Sequence, residues 1–286
     1  MNYYNSDLAD IGFKLILPCK ELEPYIYNYW IIRKEKLHKT ISNKILSDGN
    51  SGIVINFASS SFLTKINQKN FISKNHFTYC GPTKYPLFME FENQIDAIGI
   101  RFKAGGAYRF FNEDISSFKD IVVEMQNSTV LKIDALYEKL INTSEIENKI
   151  SIIESFLIKK IQSSSKNNSL WIFDFINNIL KNKGYVNIEA LCKDFNISPR
   201  LCARRFKQEV GLSAKLFARL ARIVNTKETL SSLKVDSLTS VAYDNGFFDQ
   251  AHFSNEFKAF MSETPKDYFS KKYKMAKGLN FKEFRK

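Results

Sequence analysis

The sequence predicts an α+β chain: an N-terminal β-rich part, a small antiparallel barrel or sandwich with helices after it, then an all-α part of two helix-turn-helix units joined by a linker helix. Three observations lead there. Residues 22–102 break into short segments rich in β-branched and aromatic residues. Apolar residues recur at helical spacing from about residue 133 onward. The C-terminal part contains an internal repeat.

The strand segments read YIYNYWIIRKEK, NKILSDGNSGIVINFA, SSFLTKINQKNFI, HFTYC, LFMEF and DAIGIRF, parted by turn signals at Asp48-Gly49, Asn67-Gln68 and Gly81-Pro82. Their number and length suit a small barrel or sandwich. Tyr25, Tyr29, Trp30, Phe57, Phe77, Tyr79 and Phe88 either line a cavity or form plain core, and plain core is the simpler reading. Gly105-Gly106 lacks the spacing of a phosphate loop and reads as a turn from a strand into a helix at AYRFFN.

Two helices follow, one spaced by Leu136 and Leu140, the other by Ile146, Ile150, Ile153, Leu157 and Ile161. They pack on the β-rich part or on a second subunit, and the sequence leaves both open. SSSKNNS at 163–169 has no apolar residue and reads as a linker. LWIFDFINNILKNKG then reads as a helix with Leu170, Phe173, Ile176 and Leu180 inward and Gly184 to end it.

The repeat comes next. In SPRLCARRFKQEVG, Arg200, Ala203, Arg204 and Lys207 fall on one helical face and Cys202, Phe206 and Val210 on another. In DQAHFSNEFKAFM, Phe253, Phe257 and Phe260 repeat the apolar spacing, while Ala251, Asn255 and Lys258 form the polar face with His252 at its edge. A short apolar segment and a turn precede each, at Asn196-Ile197 and at Gly246-Phe247, and Asn and Gly both tolerate a left-handed backbone. Leu191 and Val241 stand 50 residues apart, as do Asn196 and Gly246, but Phe206-Lys207 and Phe257-Lys258 stand 51 apart, so the second turn holds one extra residue. This is the helix-turn-helix pattern twice over. Between the copies, Ser213 can cap a helix through Phe217, Leu220, Ile223, Val224 and Leu230 to about Ser231. Such a spacer is about 28 Å long, which suits two helices entering successive major grooves about 34 Å apart.

Composition narrows the function. Net charge is +12, of which residues 170–286 carry +9, with 21 Lys and Arg against 12 Asp and Glu. A basic excess on one domain suits nucleic acid. Five of the nine arginines (Arg200, Arg204, Arg205, Arg219, Arg222) lie within 23 residues, and the planar guanidinium is suited to phosphate and guanine. Residues 266–286 alone contribute +6, a basic tail that attracts phosphate without specificity. No apolar run is long enough to cross a bilayer, and MNYYNSDLAD is no signal peptide, so the cytoplasm and no membrane partner are expected. Cys19, Cys80, Cys192 and Cys202 show no CxxC spacing, and His38, His76 and His252 are far apart. Neither a metal site, a cofactor nor a catalytic constellation is expected.

FKQEVGLSAKLFARLAR, the NGF at 245–247 and HFSNEFKAFMSETPKDYF resemble the tandem helix-turn-helix domain of AraC/XylS-type transcription regulators, from Leu170 to about Tyr273. Ala214 stands where members often carry Pro, and Asn255 where many carry Arg. LEPYIYNYW, LSDGNSGIVINF, YCGPT and IGIRFKAGGAYRFFNEDISSFKDIVVEM resemble the sensor-like domain found ahead of some such regulators, with Ser47 where Pro is usual. The resemblance implies a cupin-like β-rich regulatory domain with C-terminal helices at 1–162, a linker at 163–169, the DNA-binding domain at 170–273 and a basic tail at 274–286. It implies a non-enzymatic regulator whose partners are double-stranded DNA, a small-molecule effector, RNA polymerase and a second copy of the chain. Carried over by position, Arg200, Ala203 and Arg204 face base edges with Lys207 on phosphate; Gln250, Ala251, His252 and Asn255 do so on the second helix, with Lys258 at the backbone. Arg204 suits guanine and Asn255 adenine, while Arg205 is expected in an ion pair within the domain. The alternatives are a cupin-type enzyme and a non-specific nucleic-acid-binding protein.

Overall fold

The structure, a computed structural model, describes residues 12–111, 113–125, 133–164, 167–232 and 237–276. Its β-rich part has two antiparallel sheets. One runs β1 (Lys14–Ile16), β2 (Ile26–Lys34), β9 (Ile95–Phe102), β4 (Ser51–Asn56), β7 (Phe77–Cys80), β10 (Val122–Glu124); the other runs β3 (Ile41–Ile45), β8 (Leu87–Phe91), β5 (Phe62–Ile66), β6 (Lys69–Ser73). The sheets end in separate edge strands, so this is a sandwich and not a closed barrel.

The apolar run at residues 29–32 of β2 is explained by its place in the middle of three layers. Side chains alternate across a strand, so Trp30 and Ile32 fill the space between the sheets while Tyr29 and Ile31 point the other way. There they meet α1 (Asp134–Ile141) and α2 (Ile146–Ser163), which bury Leu136, Leu140, Ile150, Ile153 and Leu157 against the six-stranded sheet. The helix pair therefore packs on the β-rich part. Each such side chain contributes about 1.5–3 kcal/mol when fully buried. The aromatic set divides the same way: Tyr29, Phe77 and Tyr79 belong to the helix-side core, Trp30 to the inter-sheet core, and Tyr25, Phe57 and Phe88 are half-buried. They converge on no single cavity.

The helical part comprises α3 (Ile172–Lys181), α4 (Ile188–Asp194), α5 (Pro199–Val210), α6 (Ala214–Ser231), α7 (Leu238–Asp244), α8 (Gln250–Met261) and α9 (Pro265–Ala276). The inward stripe of α3 is Ile172, Phe175, Ile176 and Ile179, which corrects the expected one. Leu170 precedes the helix and is 99% exposed, and Leu180 is half exposed. The segment carries two adjacent apolar stripes, and the sequence does not say which one faces the core. Phe173 serves the second stripe, meeting Tyr25 of the β-rich part at 5.9 Å between ring centroids.

Two cores sit side by side, one around Phe175, Cys202, Phe206 and Phe217, the other around Leu220, Phe253, Phe257 and Tyr268. Helix α6 supplies both. Its start is fixed as expected, Ser213 Oγ accepting from Leu216 N at 3.2 Å. The β-rich part touches each core: Ala104 joins the first and Leu46 packs on the second.

Candidate nucleic-acid interface

The repeat becomes geometry at the two turns. After α4, Asn196 takes φ 52° and its N–H donates to Lys193 O at 3.0 Å; after α7, Gly246 takes φ 71° and donates to Tyr243 O at 3.0 Å. Ile197 N and Phe247 N then donate to Cys192 O and Ala242 O, both at 3.0 Å. Fifty residues separate every member of these pairs. The register changes at the next step, because Ser198 caps α5 through Leu201 N and its counterpart Asp249 caps α8 through His252 N. The inserted residue is thus Phe248, which is 84% exposed.

Both second helices bury the expected apolar face: Cys202, Phe206 and Val210 on α5, Phe253, Phe257 and Phe260 on α8. The opposite faces are open. Arg200, Ala203, Arg204 and Lys207 on α5, and Gln250, Ala251, His252, Asn255 and Lys258 on α8, are all exposed. The β-rich part covers none of these nine positions. Their surroundings differ, however. Gln250 Oε1 accepts from Thr239 Oγ1 at 3.1 Å, and His252 Nε2 lies 3.7 Å from Glu256, so two of the α8 side chains already lean on neighbours.

The clustered arginines separate into two kinds. Arg200 and Arg204 project from the open face of α5. Arg205 is held inward, its Nε 3.1 Å from the fully buried Glu209, which also takes Ser169 N, Ser169 Oγ and Asn168 Nδ2. Arg219 Nε meets Glu256 at 2.6 Å. Arg222 ties the two units together: Nη2 donates to Gly184 O at 3.3 Å and Nη1 to Gly246 O at 3.2 Å, with the guanidinium between Tyr185 and Phe247. Charge density in sequence therefore overstates the outward-facing set, and three of the five arginines serve the framework.

The thiols are structural. Cys192 and Cys202 are buried together in the first core, and burial pushes the Cys202 thiol up to about 12. Among the described residues, no three His, Cys, Asp or Glu side chains gather as a metal site would require, and no helix is long and apolar enough to cross a membrane.

Residues 191–271 match a family described as a helix-turn-helix domain, and residues 14–124 match one described as a domain of unknown function (DUF6597). The HTH-type transcriptional activator RhaS of Escherichia coli (strain SE11) is 32% identical over 82 residues, 29% of each chain. The match thus spans less than a third of the curated relatives' length. ToxT from Vibrio cholerae O395, solved bound to (E)-4-(8-methylnaphthalen-1-yl)but-3-enoic acid, is 15% identical with a TM-score of 0.45, covering 91% of this chain and 99% of that one. The C-terminal domain of AraT, a response regulator from Geobacillus stearothermophilus, is 25% identical with a TM-score of 0.34, covering 37% of this chain and 88% of that one. Residues 191–271, with the tandem repeat folded as two capped, outward-facing helices, thus form a helix-turn-helix domain similar to that of AraC/XylS-type regulators.

Proposed function

We propose that the chain is a sequence-specific regulator of transcription that binds double-stranded DNA and carries out no catalysis of its own. The observation that carries this reading is the open face of each second helix, set opposite a fully buried Phe206 or Phe257. Arg200, Ala203 and Arg204 read base edges and Lys207 a phosphate; Gln250, Ala251, His252 and Asn255 do the same in a second groove, with Lys258 on the backbone. The family resemblance supplies the rest: a cytoplasmic setting, RNA polymerase and a second copy of the chain as protein partners, and a small-molecule effector acting through the β-rich domain.

Footprinting on DNA upstream of the chain's own and neighbouring genes tests the reading. A protected site with two half-sites on one DNA face is expected, with affinity falling steeply as salt rises. Equal protection of all sequences, abolished by removing residues 274–286, would identify a non-specific binder instead.

A further inference from the structure

The leading end of α8 carries an aromatic ring that the fold does not use. In the first unit the residue before the cap is Ile197, which packs on the core around Phe206. In the second that inward place is taken by Phe247, 3% exposed, with its ring centroid 5.0 Å from that of Phe253. An apolar residue just ahead of a helix cap ordinarily staples onto the fourth residue of the helix, which in α8 is Phe253. Phe247 already fills that slot. The inserted Phe248 is left between Phe247 and the cap Asp249, largely in solvent, and its ring meets no other ring or cation among the described residues.

The polar groups around Phe248 are already engaged. Asp249 Oδ1 accepts from His252 N at 2.6 Å, Gln250 Oε1 is taken by Thr239, and His252 leans on Glu256. The first turn of α8 holds no Lys or Arg, whereas that of α5 holds Arg200. What this end of α8 does offer is the ring of Phe248 and the exposed methyl of Ala251. In a helix-turn-helix the N-terminal residues of the second helix meet base edges. The apolar group displayed there is the C5-methyl of thymine, which Ala and Phe side chains suit.

We propose that Phe248, assisted by Ala251, reads thymine through its C5-methyl group in the major groove of the second half-site. This rests on the reading of the chain as a sequence-specific DNA binder, and adds to it a residue outside the nine recognition positions and a chemical basis for the second unit's choice of base. The extra residue in the second turn is what supplies the reader, since without it the cap would follow Phe247 directly, as Ser198 follows Ile197. The two units then select by different means. Arg204 selects guanine by paired hydrogen bonds, and Phe248 selects thymine by burying a methyl against an aromatic face. A buried methyl discriminates by about fourfold, a bidentate arginine by about tenfold or more. The second unit's choice is therefore graded, and the first unit keeps the sharper one.

Thymine-to-deoxyuridine exchange tests this, because deoxyuridine keeps the hydrogen-bonding edge of thymine and lacks only the methyl. Selection from random duplexes by the full chain first defines the operator, and each thymine of its second half-site is then replaced in turn. At one position or more the exchange is expected to weaken binding by about fourfold. Phe248→Ala should bind the thymine and deoxyuridine duplexes alike at the position the ring contacts, Phe248→Leu should keep most of the difference, and Arg204→Ala should leave it intact. No thymine selected in the second half-site, equal affinity for the two duplexes with the unaltered chain, or a difference that survives in Phe248→Ala overturns the proposal. Phe248 supports no core, so these variants should fold; should one fail, the two duplexes compared on the unaltered chain still decide. The regulator reading is scored by the selection itself. Enrichment of no sequence overturns that reading and this proposal with it, whereas two enriched half-sites that are indifferent to deoxyuridine overturn this proposal alone.

Discussion

The two helix-turn-helix units share their turns to the residue yet are held in different ways. The first is bolted to the rest of the chain. Buried Glu209 gathers Arg205, Asn168 and Ser169, Gln208 Nε2 donates to Asp114 at 2.8 Å, and α5 packs on the 3-10 turn Ile115–Phe118. The second is held to the β-rich domain by Lys44 at the end of α8 and by Leu46 against its core. Their outer faces differ in the opposite sense. The firmly held unit presents Arg200 and Arg204, while the lightly held one presents Gln250 and His252 already leaning on neighbours. A preorganised fork of donors binds with less entropic loss. Under the proposed function, the difference leads us to expect that the first unit sets base specificity and the second sets whether both half-sites are engaged.

The largest test of that division is on the cores. Phe206→Ala and Phe257→Ala should each cost about 3–5 kcal/mol in urea unfolding. The first should abolish all operator binding; the second should leave one protected half-site. If both variants lose both half-sites together, the units are not separable. Next in size, Glu209→Gln removes the charge at the centre of the first unit's anchor and should destabilise by about 3 kcal/mol, as breaking a buried pair does. Arg204→Ala should then cost about 1–3 kcal/mol at a single base position, and Asn255→Ala less, measured against a library of single-base operator changes. Uniform weakening across the library would make Arg204 a phosphate contact, and a larger effect at Asn255 would reverse the ranking of the helices.

A smaller effect concerns pH. Burial alone would raise the Glu263 carboxyl, but hydrogen bonds from Lys271 and Lys44 outweigh it and hold the group below its ordinary 4.5. A depressed carboxyl contributes stability above the unfolded value and loses it as pH falls through the folded one. The clamp on α8 should therefore be intact at pH 5 and above and loosen on acidification below about 4.5. Hydrogen exchange along α8 reads this, and Lys44→Met should loosen α8 at neutral pH. Smallest of all, Lys207→Ala and Lys258→Ala should each reduce the salt slope of binding by about one, whatever the sequence of the DNA.

Much of the second domain was legible because a repeat doubles every signal. Asn196 and Gly246 announce the same turn independently, and the shift from 50 to 51 locates an insertion that proves to be Phe248. What was not legible depends on partners far away in sequence. Arg204 and Arg219 look alike in a string, and only the fold brings Glu256 to Arg219 and Ser169 to Arg205. The seam between the two domains was hidden for the same reason, since Lys44 and Glu263 are 219 residues apart. Leu170 misled because an apolar residue beside a helical pattern carries no mark of where the first turn begins. Tyr29 and Trp30 of β2 were read as plain core, which they are, but they belong to two different cores, so aromatic richness there signals a middle layer and not a cavity.

Arg222 makes the pair of units a ruler. With one guanidinium bonded to the turn before the first unit and to the turn inside the second, neither can swivel about α6 without breaking a charged hydrogen bond. DNA, by contrast, adds about 34° of rotation and about 3.4 Å of length for every base pair inserted between half-sites. A rigid gauge read against a screw accepts one pitch. An operator lengthened by a single base pair should lose its second half-site altogether, one lengthened by five should present it on the far side of the duplex, and Arg222→Ala should turn this sharp spacing rule into a tolerant one.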